Sequence, residues 1–186
     1  MIYALLDWEL IQKFNISIES FINKCYQLDV KIIQYRDKNS DIKNIENRLK
    51  KIRKLWDKTL IINDYIDLIE NADGLHIGQE DLEKYKSIEN IRNKINSKIL
   101  GLSTHNKEEI LKANELDINY IGLGAYRPTN TKNVNSIGGE KLIKIAKLSK
   151  HPVAIIGGVK LSDKFDENII KYKVIGSDIC KSISTQ

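Results

Sequence analysis

In the segment Lys31-Ile-Ile-Gln34-Tyr-Arg36-Asp-Lys38, an amide and two cations recur at every second position: Gln34, Arg36 and Lys38. Along an extended strand that spacing turns all three to one side. Arg offers a planar fork to phosphate oxygens and Lys a mobile point charge, so the trio suits a diphosphate. The competing reading is a strand end carrying solvated cations. Asn63-Asp64 and Asp81 contribute an amide and two carboxylates, the open oxygen shell that Mg2+ shares with substrate phosphates. An Asn-Asp pair after a strand also serves as a plain turn, and the nearby cationic trio is what favours the metal.

Further along, Gly124-Ala-Tyr-Arg127-Pro-Thr129-Asn-Thr131-Lys132 places two hydroxyls and a cation in one loop, where backbone and side-chain donors can cover an anion. The loop lacks Walker spacing. Gly157-Gly158 and Gly176-Ser177 allow backbone amides to approach phosphate oxygens. Gly138-Gly139 serves a helix cap equally well. Ser103 and His105 follow another apolar run, and His105 is a candidate acid or base because an imidazole titrates near neutrality. His76 reads as an inward packing residue and His151 as a surface one.

These residues need a scaffold that gathers strand ends. Eight β-rich runs alternate with amphipathic stretches: Ile2 to Leu6, Lys31 to Gln34, Leu60 to Asn63, Gly74 to His76, Ile99 to Leu102, Tyr120 to Gly124, Val153 to Gly157 and Val174 to Gly176. That alternation predicts a parallel sheet with helical crossovers. Eight runs fit a single (β/α)8 TIM barrel better than an open doubly wound sheet, and barrel chemistry sits at the C-terminal strand ends. Each candidate above follows such an end.

Ile18, Phe21, Ile22 and Cys25, and then Ile42, Ile45, Leu49 and Ile52, mark apolar helix stripes bound for the core. Asn106 followed by Glu109 predicts a helix start, and Pro152 closes the preceding helix through Lys147 to Lys150. Barrels of this class usually run to about 250 residues. Here 186 residues must suffice and only Asp178 to Gln186 follow the eighth run, so the last helix is expected to be short or missing.

With 41% apolar residues, residues 1–186 are expected to form one domain. The sequence carries no long apolar span and no signal-peptide pattern, so the cytoplasm is the expected compartment and no membrane partner is expected. Cys25 and Cys180 lack metal spacing and read as reduced core thiols. Net charge is +5 and the pI about 9.0. The basic residues are scattered among acids without interleaved aromatics, which argues against a nucleic-acid partner.

The ordered set Gln34-Tyr-Arg36-Asp-Lys38, Ile62-Asn63-Asp64, Asp73-Gly-Leu-His76-Ile-Gly78-Gln79-Glu80-Asp81, Gly101-Leu-Ser103-Thr-His105, Pro128-Thr129-Asn-Thr131-Lys132 and Ile156-Gly157-Gly158-Val159 resembles the thiamine phosphate synthase family. The resemblance runs from about Ile2 to Ile183. It implies a transferase that joins hydroxymethylpyrimidine diphosphate to hydroxyethylthiazole phosphate, releasing pyrophosphate, with no protein nucleophile. It also implies that Gln34, Arg36, Lys38, Asn63 and Lys132 hold the diphosphate, that Asp64 and Asp81 bind Mg2+, and that Ser103 touches the departing pyrophosphate. Thr129, Thr131, Gly158 and Ser177 would hold the thiazole phosphate, and Arg36, Ser103 and Lys132 would carry catalysis. Arg36 and Lys132 are expected to be exposed.

The same superfamily contains a thiazole tautomerase that relies on a His near the position of His105. That subgroup tends to lose the Asn-Asp and Gly-Gln-Glu-Asp elements, which are intact here, so the synthase is favoured. A non-catalytic phosphate-ligand barrel is the third reading. Asp178, beside the expected phosphate site, would repel the ligand unless it points outward.

Overall fold

The computed structural model describes residues 1–128 and 138–184. Eight parallel strands close into a barrel: β1 (Ile2–Asp7), β2 (Ile32–Arg36), β3 (Thr59–Asn63), β4 (Gly74–Ile77), β5 (Ile99–Thr104), β6 (Tyr120–Leu123), β7 (Val153–Ile155) and β8 (Tyr172–Ile175). They pair in chain order, and β8 returns to β1 through Tyr3 opposite Val174. Both faces of every strand are covered, which is why near-continuous Ile, Leu and Val runs form them. Every expected run is a strand, with ends shifted by one or two residues. β7 stops early because Gly157 and Gly158 adopt φ of +92° and +62° and turn the chain out of the sheet.

Helices α1 (Trp8–Lys13), α2 (Ile18–Gln27), α3 (Ile42–Leu55), α4 (Gln79–Tyr85), α5 (Ile88–Ile95), α6 (Lys107–Ala113), α7 (Glu140–Ala146) and α8 (Ser177–Ser184) pack outside. Side chains of Asp7, Ser17, Asp41, Ser87 and Asn106 cap five of them, satisfying first-turn amides that lack helical partners. α7 ends at Ala146, so Lys147 to Lys150 form the turn ahead of Pro152 and not a last helical turn. The last helix, α8, is neither missing nor cut short: at 8 residues it matches α5.

The chain is compact for its class because two crossovers lack an α-helix. A 3-10 segment, Ile66–Asn71, joins β3 to β4, and turns alone join β7 to β8. No described helix is long and apolar enough to cross a membrane.

The main core lies between strands and helices. The α2 stripe is buried throughout, whereas in α3 only Ile45, Leu49 and Ile52 are; Ile42 begins the helix and is 52% exposed. Cys25 and Cys180 are free and buried, and burial pushes the Cys180 thiol up to about 12 and raises Cys25 as well. A second cluster fills the barrel interior: Tyr3, Leu5, Ile61, Tyr120, Ala154 and Val174. Tyr3 and Tyr120 meet edge to face with centroids 5.8 Å apart. Gly101 makes room for them, since a Cβ there would run into the Tyr120 ring.

Candidate active site

Above that interior layer a cavity opens at the C-terminal strand ends. Gln34 and Arg36 of β2 and Lys38 just beyond it line the cavity, together with Asn63 at the end of β3, Asp64 after it, Ser103 of β5 and His105 just beyond that strand. Gly157, Gly158, Gly176 and Ser177 complete the opposite wall. Nine of the thirteen expected site residues therefore share one space. Thr129, Thr131 and Lys132 lie outside the described residues, and Asp81 stands behind the wall, as described below.

Gln34, Arg36 and Lys38 each have a fixed partner. Gln34 is buried, and its Nε2 donates to Tyr3 Oη over 2.7 Å. Arg36 is not exposed as expected: its side chain is 16% accessible, and Nη1 donates over 2.5 Å to Asp7 Oδ2. Asp7 is the register partner of Arg36 on β1, is 1% exposed, and also accepts the Leu10 amide at the start of α1. Lys38 forms an ion pair with Asp64 across the cavity mouth. Asp64 holds φ of +66°, which an Asp tolerates better than most residues.

Asp37 points away from the cavity, as alternation along the strand requires. It is buried and accepts from Tyr35 Oη (2.9 Å), Arg48 Nη1 (2.8 Å) and the Ser40 amide (3.1 Å). Arg48 in turn lies 3.9 Å above the Trp8 ring. This buried knot holds the turn that presents Lys38.

Asp81 is also buried, and its Oδ2 accepts the Gly78 amide over 2.9 Å at the start of α4. Burial raises its carboxyl, the Gly78 hydrogen bond lowers it, and the carboxylates of Asp64 and Glu80 raise it further. The cavity wall at this point is formed by Asp64, Gly78 and Glu80, with Asp81 behind. No cluster of three or more His, Cys, Asp or Glu suited to a metal occurs among the described residues. Two or three neighbouring carboxylates suit Mg2+, which keeps most of its shell for water and phosphate oxygens. Asp64 and Glu80 present carboxylate oxygens of that kind at the cavity wall.

Ser103 Oγ lies 3.0 Å from His76 Nε2, and its carbonyl accepts from Gln79 Nε2 over 2.5 Å. His76 is inward and buried as expected, but it also lines the cavity and makes polar contacts. His105 Nδ1 lies 2.9 Å from Glu109 Oε2, the oxygen that also accepts the His105 amide. The Asn106 side chain accepts the Glu109 amide at the start of α6, the cap expected from the sequence. His151 is only half exposed, with Nε2 3.0 Å from the Ala113 carbonyl.

The opposite wall is made of backbone. The Tyr126 and Arg127 amides donate to Ile156 and Gly157 carbonyls, each over 2.9 Å. Arg127 Nη1 also donates to the Gly158 carbonyl (3.0 Å), and its two terminal nitrogens meet both Asp163 oxygens at 2.5 and 3.0 Å. Arg127 thereby clamps two loops, and its guanidinium holds the Asp163 carboxyl below the usual range. Ser177 opens α8, whose first-turn amides have no helical partners. Asp178 accepts the Leu161 amide over 2.8 Å and does not line this cavity.

The TMP-TENI family model, thiamine monophosphate synthase, matches residues 2–174. The chain belongs to this family. A thiamine-phosphate synthase of Persephonella marina is 37% identical over 165 residues, covering 85% of this chain and 76% of that protein. A thiamine-phosphate synthase of Lawsonia intracellularis is 32% identical over 191 aligned positions, covering 98% and 83%. Among solved structures, the thiamine phosphate pyrophosphorylase of Pyrococcus furiosus superposes with a TM-score of 0.75 at 20% identity, covering 99% of this chain and 95% of that one. A tryptophan synthase α-subunit from the same organism gives 0.63 at 12% identity over 99% and 90%, so the superpositions speak for the barrel alone.

Sequence reasoning missed the buried supports Asp7, Asp37, Tyr3 and Tyr120, and Glu80 as a wall residue. Asp7, the polar residue that ends the first apolar run, and Asp37 and Glu80, inside the quoted motifs, left a signal.

Proposed function

We propose that residues 1–186 act as one barrel domain that joins hydroxymethylpyrimidine diphosphate to hydroxyethylthiazole phosphate, giving thiamine phosphate and pyrophosphate. The observation that carries this is the convergence of Gln34, Arg36, Lys38, Asn63 and Ser103 on one cavity in a chain of this family. The bond between the pyrimidine methylene carbon and the diphosphate oxygen breaks, and its electron pair leaves with pyrophosphate. The thiazole nitrogen then donates its lone pair to the methylene cation. Such a step needs charge neutralisation on the leaving group in a site of reduced dielectric.

Arg36, oriented by Asp7, and Lys38, released from Asp64, would neutralise the diphosphate together with Lys132. Gln34, Asn63 and Ser103 would donate hydrogen bonds to it. Asp64 and Asp81, with Glu80 beside them, would hold Mg2+, which when bound supplies further positive charge to the diphosphate. Thr129, Thr131, Gly158 and Ser177 would hold the thiazole phosphate. The partners are small phosphorylated molecules, and the compartment is the cytoplasm.

Purified protein with both substrates and Mg2+ should form thiamine phosphate. No product from folded protein beside a working control enzyme overturns the proposal. The His105–Glu109 pair at the cavity edge favours a second reading, isomerisation of the thiazole phosphate alone. That reading requires turnover without the pyrimidine substrate and its loss in His105→Ala. Ligand binding without any turnover would instead support a non-catalytic barrel.

A further inference from the structure

Five side chains from five strands form one unbroken hydrogen-bonded chain at the cavity floor. Gln34 Nε2 donates to Tyr3 Oη over 2.7 Å, and Tyr3 Oη lies 2.8 Å from Tyr120 Oη. Tyr120 Oη is 2.9 Å from His76 Nδ1, and His76 Nε2 is 3.0 Å from Ser103 Oγ. Both ends, Gln34 on β2 and Ser103 on β5, line the cavity. Tyr3 and Tyr120 lie beneath it at 1% and 5% exposure. Burial raises both phenols far above their ordinary value, so each keeps its hydroxyl hydrogen.

Counting hydrogens gives the chain a direction. Tyr3 accepts from Gln34 and has one hydrogen to give, for which Tyr120 is the acceptor in the chain. Tyr120, already accepting, gives its own hydrogen to His76 Nδ1. The imidazole hydrogen then sits on Nε2 and is donated to Ser103 Oγ, leaving the Ser103 hydrogen for the cavity. A ring carrying hydrogen on Nδ1 would reverse the Tyr120 hydroxyl and leave the Tyr3 hydrogen without an acceptor in the chain, at the cost of a desolvated donor.

We infer that Tyr3, Tyr120 and His76 are positioning residues that fix Ser103 as a hydrogen donor toward an anionic oxygen in the cavity, and couple that donor to Gln34 on β2. The inference rests on the proposed reading in which Ser103 meets pyrophosphate. It assigns a task to the two interior tyrosines, which otherwise read as barrel filling.

The first test is the ring nitrogen spectrum of ¹⁵N-histidine-labelled protein, with His76 assigned by comparison with His76→Asn. The expected result is a neutral ring with hydrogen on Nε2, and mixed tautomers in Tyr120→Phe, which removes one oxygen and keeps the ring. Hydrogen on Nδ1, or on both nitrogens, in the unsubstituted protein overturns the inference without touching the proposed activity. The second test is calorimetric binding of inorganic pyrophosphate with Mg2+. Ser103→Ala and Tyr120→Phe should each weaken it about ten- to a hundredfold, the loss of one hydrogen bond to a charged group. The double variant should be no weaker than Ser103→Ala, and additive losses overturn the coupling. Unchanged binding in Ser103→Ala overturns the pyrophosphate reading and the positioning role with it. Tyr3→Phe replaces Tyr120→Phe should the latter not fold, and the tautomer of the unsubstituted protein needs no variant.

Discussion

The two walls of the cavity are built by different physics. On the β2–β5 side, charged and amide side chains do the work, and each is held from below: Arg36 by Asp7, Gln34 by Tyr3, the Lys38 turn by Asp37 and Arg48. On the β7–β8 side the wall is mostly glycine backbone, shaped by positive φ at Gly157 and Gly158 and by the Arg127–Asp163 clamp. Flexible cations need buried counter-groups to hold one geometry against water, whereas amides need only a backbone that stays in place. Damage to the first wall should therefore appear as lost charge and stability, and damage to the second as strain and a selective loss of one ligand.

The largest expected effect tests the first wall. Arg36→Ala should lower kcat/KM for the pyrimidine diphosphate by about 10²- to 10³-fold, the scale of one lost donor to developing charge. It also leaves Asp7 buried without its partner, so stability should fall by about 3 kcal/mol in chemical unfolding. An exposed Arg36 would have predicted no such loss.

Gly158→Ala probes the second wall. With φ of +62° and a Cβ that would stand 2.8 Å from Arg127 Cβ, the substitution costs about 1–2 kcal/mol of strain. We expect KM for the thiazole phosphate to rise about tenfold, with KM for the diphosphate unchanged. Equal increases in both constants would erase the distinction between the walls.

A smaller effect belongs to Asp81. Its carboxyl is raised in the folded protein, mainly by burial, so its contribution to stability is fully present below the unfolded carboxyl's pKa and is lost as pH rises through the folded one. Asp81→Asn keeps an acceptor for the Gly78 amide and removes the charge. Without Mg2+ it should be more stable at neutral pH, and it should no longer gain Tm from added Mg2+. The smallest expected effect is at Asp178, which is turned onto the Leu161 amide. Asp178→Asn should change KM for the thiazole phosphate by less than about twofold.

Much of the barrel was legible because strand and helix periods are local properties. Alternation placed Gln34, Arg36 and Lys38 on one face, and Asn106 announced its helix. Ile42 escaped the pattern because the first residue of a helix lies beyond the covered stripe. The supports were not legible, since Asp7 under Arg36 and Tyr120 under Ser103 depend on strand pairing across long separations. Asp81 illustrates the same limit: its type suits a metal, but only the folded chain reveals that it caps α4 from behind the wall. Arg127, read within an anion loop, is engaged instead as a clamp.

The most direct test of the account is one reaction followed for two products. Purified protein with both substrates and Mg2+ should yield thiamine phosphate and pyrophosphate in equal amounts, and omitting the thiazole phosphate should abolish the thiamine phosphate. Pyrophosphate released without coupling, or neither product from folded protein, would contradict the claim that the two walls hold two substrates for one bond.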